Sequence, residues 1–164
     1  MIRPVGFLDL STFTATFVVK YRERMQNGIL TLRDIGESGE AEDLPVTKQW
    51  RASQILMKRA LNEAHRILGK PTALGRMWIE TLPGGHGTPW TIEDDDYAQR
   101  IARIRVCMIP GVDAYSMSGG DRISLAVGVL NQIEHRVLCS EVNFGTIPRT
   151  HLIADVHTDR SEED

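Results

Sequence analysis

A chain of 164 residues falls within the size range of one domain and is long enough to bury a hydrophobic core, so two domains are not expected. Nineteen Lys plus Arg stand against 22 Asp plus Glu, for a formal net charge of -3 with no basic block that would track a phosphate backbone, which excludes nucleic acid as the main partner. Hydrophobic residues make up 41% and charged residues 25%, an ordinary globular balance, and no apolar run approaches the roughly 20 residues that cross a bilayer.

The N-terminus, MIRPVGFLDLSTFTATFVVKYRER, has neither the apolar centre nor the small-residue cleavage site of a secretory signal, which gives a cytoplasmic expectation. From Gly36 to Asp43 the chain reads GESGEAED, acidic and without apolar periodicity, and is expected to be an exposed loop. A helix follows over about Lys48–Leu68, because Leu56, Met57, Ala60, Leu61, Ala64, Ile67 and Leu68 recur at three- and four-residue spacing. Gly69 and Pro71 stop it.

Beyond the helix the apolar pattern changes to period two. Strands are expected at Arg76–Leu82, Arg100–Ile109, Ile123–Leu130, Arg136–Asn143 and Thr150–Val156, punctuated by Pro83-Gly84-Gly85, Pro110-Gly111, Gly119-Gly120-Asp121 and Phe144-Gly145 with Pro148. Short strands at regular spacing argue for a mainly β sandwich or barrel with flanking helices. The expected layout is one domain: an arm and buttressing helix over 1–72, a strand core over 73–157 and a frayed tail over 158–164.

Strand alternation assigns faces. Arg103, Arg105 and Cys107 share one face of their strand while Ile104, Val106 and Met108 share the other; in the last strand Arg149, His151 and Asp155 oppose Leu152, Ala154 and Val156. The arginines either look at solvent or line a polar pocket that clamps a carboxylate or phosphate. Periodicity leaves both open.

The strings LPGGHGTPWTIE, RIARIRVCMIP, SGGDRISLAVG and RVLCSEVNFGTIPRTHLIADVH, within about Trp78–His157, resemble the aspartyl/asparaginyl β-hydroxylase family. The most specific part is the strand, Asn-Phe-Gly turn and Pro-Arg-x-His-Leu-Ile-x-Asp-Val at the end. The resemblance implies a double-stranded β-helix (jelly-roll, cupin-like) barrel and an oxygenase using iron(II) and 2-oxoglutarate. It makes Arg149 the residue that grips the distal carboxylate of 2-oxoglutarate and Arg103 a second arginine near it, with His151 and Asp155 as supports on the closing strand.

The departures from that family concern the metal. Its first histidine and acid align with Thr91-Ile92-Glu93, its second histidine aligns with Cys139, and Arg105 stands where a histidine is common. A ferrous oxygenase site needs imidazole and carboxylate on one face of the ion with open positions beside them, and both imidazoles are missing. His86 and His135, whose separation resembles that between the family's two histidines, are the alternative pair.

Three functions follow. One is a binding protein with a degenerate iron site, taking an anionic small molecule or acidic side chain through Arg103, Arg105 and Arg149. Another is an active iron(II)/2-oxoglutarate hydroxylase with unusual ligands. The third uses Glu93 as an acid/base in the same barrel, which requires its carboxyl to be buried. A metal on Glu93 and Cys139, a nucleophilic Cys139 and a cation on the Glu93–Asp96 run are weaker readings; two cysteines are too few for a disulfide framework and are expected as packed thiols.

Overall fold

A computed structural model describes residues 2–7, 28–35, 41–43, 55, 58–59, 62–63, 65–67, 69 and 73–157. Its strands are β1 (Ile2–Phe7), β2 (Ile29–Ile35), β3 (Ala41–Asp43), β4 (Leu74–Leu82), β5 (His86–Gly87), β6 (Ile101–Ile109), β7 (Ala114–Ser118), β8 (Asp121–Ile123), β9 (Val129–Ile133), β10 (Cys139–Asn143) and β11 (Arg149–His157). They form a seven-stranded sheet in the order β1-β9-β6-β11-β4-β2-β3 and a four-stranded sheet in the order β5-β10-β7-β8.

The order carries the fold class. From β4 onward the chain passes repeatedly between the sheets, placing β4, β6, β9 and β11 in the larger and β5, β7, β8 and β10 in the smaller, with every paired neighbour antiparallel. This is the winding of a double-stranded β-helix, and it spans β4 to β11.

The larger sheet is packed on both faces. Leu130, Val106, Leu152, Ile79 and Leu30 align in one buried row across β9, β6, β11, β4 and β2, on the face away from the second sheet. Burying that row is worth about 1.5–3 kcal/mol per side chain and ties five strands together. Described positions between 55 and 67 are helical, within the expected helix, and mostly exposed; the apolar stripe apart from Ile67, and Pro71, lie outside the described residues. Gly69 ends the helix in the left-handed region (φ 69°), its N–H donating to the His65 carbonyl at 2.9 Å.

Three expectations are corrected. Ala41–Asp43 is a strand paired with β2, not a loop, while 36–40 lies outside the described residues. The run Ile123–Leu130 is not one strand: β8 ends at Ile123 and β9 begins at Val129, because 124–128 carries the chain from the smaller sheet to the larger and Gly128 turns there at φ 75°. The expected strand from Arg136 begins only at Cys139, residues 135–137 forming a turn. The tail 158–164 lies outside the described residues.

Candidate functional site

The arginine-bearing face of β6 and β11 points between the sheets. In register, Cys107 faces His151, which in turn faces Glu80 of β4, Arg105 faces Asn131 and Ile153, and Arg103 faces Ile133 and Asp155. Opposite stand Cys139, Glu141 and Asn143 of β10, paired with Ser118, Ser116 and Ala114 of β7. Arg103 is 6% exposed and Arg149 3%, so these side chains line the interior and not the solvent.

Arg103 is engaged through all three of its nitrogens. Its Nε and Nη2 donate to the two oxygens of buried Asp155 at 2.7 and 3.1 Å, Nη1 donates to Glu93 Oε1 at 2.5 Å, and Trp78 lies 5.0 Å from the guanidinium carbon. Burial works against its charge, but Asp155 and Glu93 outweigh burial and raise its pKa above the ordinary arginine value. The sequence offered Asp155 as a support on the closing strand without naming Arg103 as the residue it holds.

Arg105 and Arg149 converge on a residue that sequence reasoning missed. Glu141 pairs through one oxygen with Arg105 Nη1 and through the other with Arg149 Nη1 at 2.8 Å. Ser116 Oγ donates to Glu141 at 2.8 Å and accepts from Arg149 Nη2 at 2.8 Å. Arg149 Nε donates to His151 Nε2 at 2.9 Å, so His151 is neutral with its proton on Nδ1. Burial, then the charges of Arg149 and Arg105, hold His151 well below the usual histidine range. Burial lowers both Arg105 and Arg149 to about 10. Arg105 Nε is buried with no acceptor, a deficit that costs about 1–3 kcal/mol and that an anion would remove. A cleft of about 210 Å³, lined in part by Asp113, Tyr115, Arg122 and Ser124, opens onto Arg149.

Thr91 and Cys139 form an antiparallel bridge, so these two positions adjoin. They do not assemble an iron site with Glu93. Thr91 is exposed, Cys139 Sγ donates to the Glu134 carbonyl at 3.3 Å, and the Glu93 carboxylate goes to Arg103. Among the described residues no three His, Cys, Asp or Glu side chains come together to hold a metal ion. The donors present do not fit ferrous iron, which wants imidazole and carboxylate on one face.

The alternative pair is separated: His86 lies beside Asn143 at one end of β10, whereas His135 precedes the other end and rests on the Ala98 carbonyl at 3.1 Å. Glu93 has a 44% exposed side chain, so the burial asked of an acid/base is absent. Within the acidic run, Asp95 accepts from the Ala98 N–H at 2.7 Å, where the short 3-10 turn Ala98–Arg100 begins. Cys107 is buried, and burial pushes its thiol up to about 11.

The Asn-Phe-Gly element ties together one end of the two sheets. Asn143 Nδ2 lies 2.9–3.2 Å from the carbonyls of Leu82, Pro83 and Ile147, binding the β4–β5 turn to the β10–β11 loop. A Cβ on Gly84 would collide with the Gly145 carbonyl, and one on Gly145 with the Val112 carbonyl, so both positions require glycine.

No protein-family model and no curated protein matches the sequence. Solved structures do match. An oxidoreductase of the 2OG-Fe(II) oxygenase family from Burkholderia pseudomallei aligns with a TM-score of 0.61 at 10% identity over 79% of this chain and 66% of its own, so the chain spans just under two thirds of that protein. AviO1 from Streptomyces viridochromogenes aligns at a TM-score of 0.66 with 8% identity over 99% of this chain and 91% of its own. The viral collagen prolyl hydroxylase of Paramecium Bursaria Chlorella virus, in its 2OG complex, aligns at 0.59 with 10% identity over 96% of this chain and 95% of its own. The chain therefore has the double-stranded β-helix fold that such oxygenases share. Among the described residues no helix is long and apolar enough to cross a membrane.

Proposed function

We propose that this chain is an aspartyl/asparaginyl β-hydroxylase-like protein with a degenerate iron site that binds a small carboxylate without a metal, through Arg149 and Arg105. One observation carries the reading: two buried guanidinium groups converge between the sheets on one carboxylate, Arg149 lines an open cleft, and Arg105 Nε has no acceptor. Arg103 supports this pocket, each of its nitrogens donating to Asp155 or Glu93. A guanidinium held in a low-dielectric interior is a strong partner for an incoming carboxylate.

A panel of mono- and dicarboxylates in the presence of a chelator tests the reading by thermal shift. Stabilisation by at least one carboxylate is expected, and an unchanged thermal midpoint across the panel contradicts it. The fold likeness, though not the donor set at Thr91, Glu93 and Cys139, favours a second reading, an active iron(II)/2-oxoglutarate hydroxylase with unusual ligands. Anaerobic iron(II) and 2-oxoglutarate then give a visible charge-transfer band, and oxygen gives succinate; the binding reading expects neither.

A further inference from the structure

The arginine pair holds a carboxylate that belongs to the chain itself. The two oxygens of Glu141 rest on two different guanidinium groups, and Ser116 adds a hydroxyl to one of them. This is how a pair of arginines holds a bound carboxylate, planar and with an oxygen for each fork. Glu141 is buried, and its backbone is fixed as well: its N–H donates to Thr88 Oγ1 at 2.8 Å and its carbonyl accepts from the Thr88 N–H at 2.9 Å. The side chain therefore reaches the arginines from a position set by β10 and the segment after β5. Arg105 Nε remains without an acceptor, so the pair has capacity that Glu141 does not use.

We infer that Glu141 is an internal carboxylate ligand of the Arg105–Arg149 pair, and that the pair selects carboxylates over tetrahedral oxyanions by exchange with it. The inference rests on reading Arg149 as an anion-binding residue. An incoming carboxylate must share the guanidinium groups with Glu141 or displace it, so Glu141 sets the threshold an external ligand has to exceed. Removing it leaves two buried cations short of a counter-ion, a state that recruits an anion of the lost shape.

The test is chemical rescue. Thermal midpoints of wild type and Glu141→Ala are compared in formate, acetate, chloride and sulfate at matched ionic strength. Formate and acetate are expected to raise the variant's midpoint by at least about 4 °C over chloride and to leave wild type unchanged. An equal response to sulfate or chloride, or an equal response in wild type, overturns the inference. If Glu141→Ala does not fold, Glu141→Gln keeps the shape and removes the charge. Succinate is then expected to bind at least tenfold more tightly than to wild type, and equal or weaker binding overturns the inference. Rescue by formate with no stabilisation of wild type across the carboxylate panel keeps the internal ligand and rejects the binding-protein reading; stabilisation of wild type by a panel carboxylate without rescue does the reverse.

Discussion

Thr91 and Cys139 exchange both backbone hydrogen bonds, Thr91 N–H to the Cys139 carbonyl at 2.9 Å and Cys139 N–H to the Thr91 carbonyl at 2.8 Å. Antiparallel residues bonded in this way lie about 5.5 Å apart at Cα with their side chains on one face. The positions that the resemblance assigns to two metal ligands are thus neighbours, but they carry a hydroxyl and a thiol. Replacing both by imidazole should create what the sequence lacks. Thr91→His/Cys139→His is expected to gain visible cobalt(II) absorption that wild type does not show. A double variant as colourless as wild type would show that adjacency here does not amount to a ligand set.

Arg103 and its two carboxylates predict an asymmetry. Asp155 is fully buried, so Asp155→Ala leaves a buried guanidinium short of its main partner and is expected to cost about 3–5 kcal/mol. Glu93 is 44% exposed, and solvent screens its pair with Arg103, so Glu93→Gln should cost no more than about 1 kcal/mol. Urea unfolding measures both; equal losses would contradict this division.

How much of this could be read from the sequence depends on parity. The alternation of Arg103, Arg105 and Cys107 against Ile104, Val106 and Met108 was visible, but not that both faces are buried, because period two separates faces without saying what covers each. The same parity places Glu141 on the face of Cys139, two residues away, and would have found the arginines' partner; a glutamate on a strand is ordinarily solvent-facing, which hid it. β7, Ala-Tyr-Ser-Met-Ser, gave no apolar run, since its inward residues Ser116 and Ser118 are small and hydrogen-bonded. Pairings across distant segments, such as β1 with β9, have no local signature.

His151 gives a pH dependence. Its folded pKa lies well below the unfolded value near 6.5. Between the two values the unfolded chain takes up a proton that the folded chain refuses, so this contribution is present above about pH 6.5 and is lost as pH falls toward the folded value, at up to about 1.4 kcal/mol per pH unit. His151→Gln can still accept from Arg149 Nε and should lose less stability than wild type between pH 7 and 5.5. Parallel losses in the two proteins, measured by urea unfolding at each pH, would exclude His151 as the source.

The most direct test of metal-independent carboxylate binding is calorimetric titration of succinate and 2-oxoglutarate into wild type and Arg149→Lys, each with chelator and with anaerobic iron(II). Lysine keeps the charge but loses the planar fork. Wild type is predicted to bind one of the two with the same affinity in chelator and in iron(II), and Arg149→Lys to bind at least about tenfold more weakly, the loss of about 1.4 kcal/mol. Binding that requires iron, or binding unchanged in Arg149→Lys, would contradict the account.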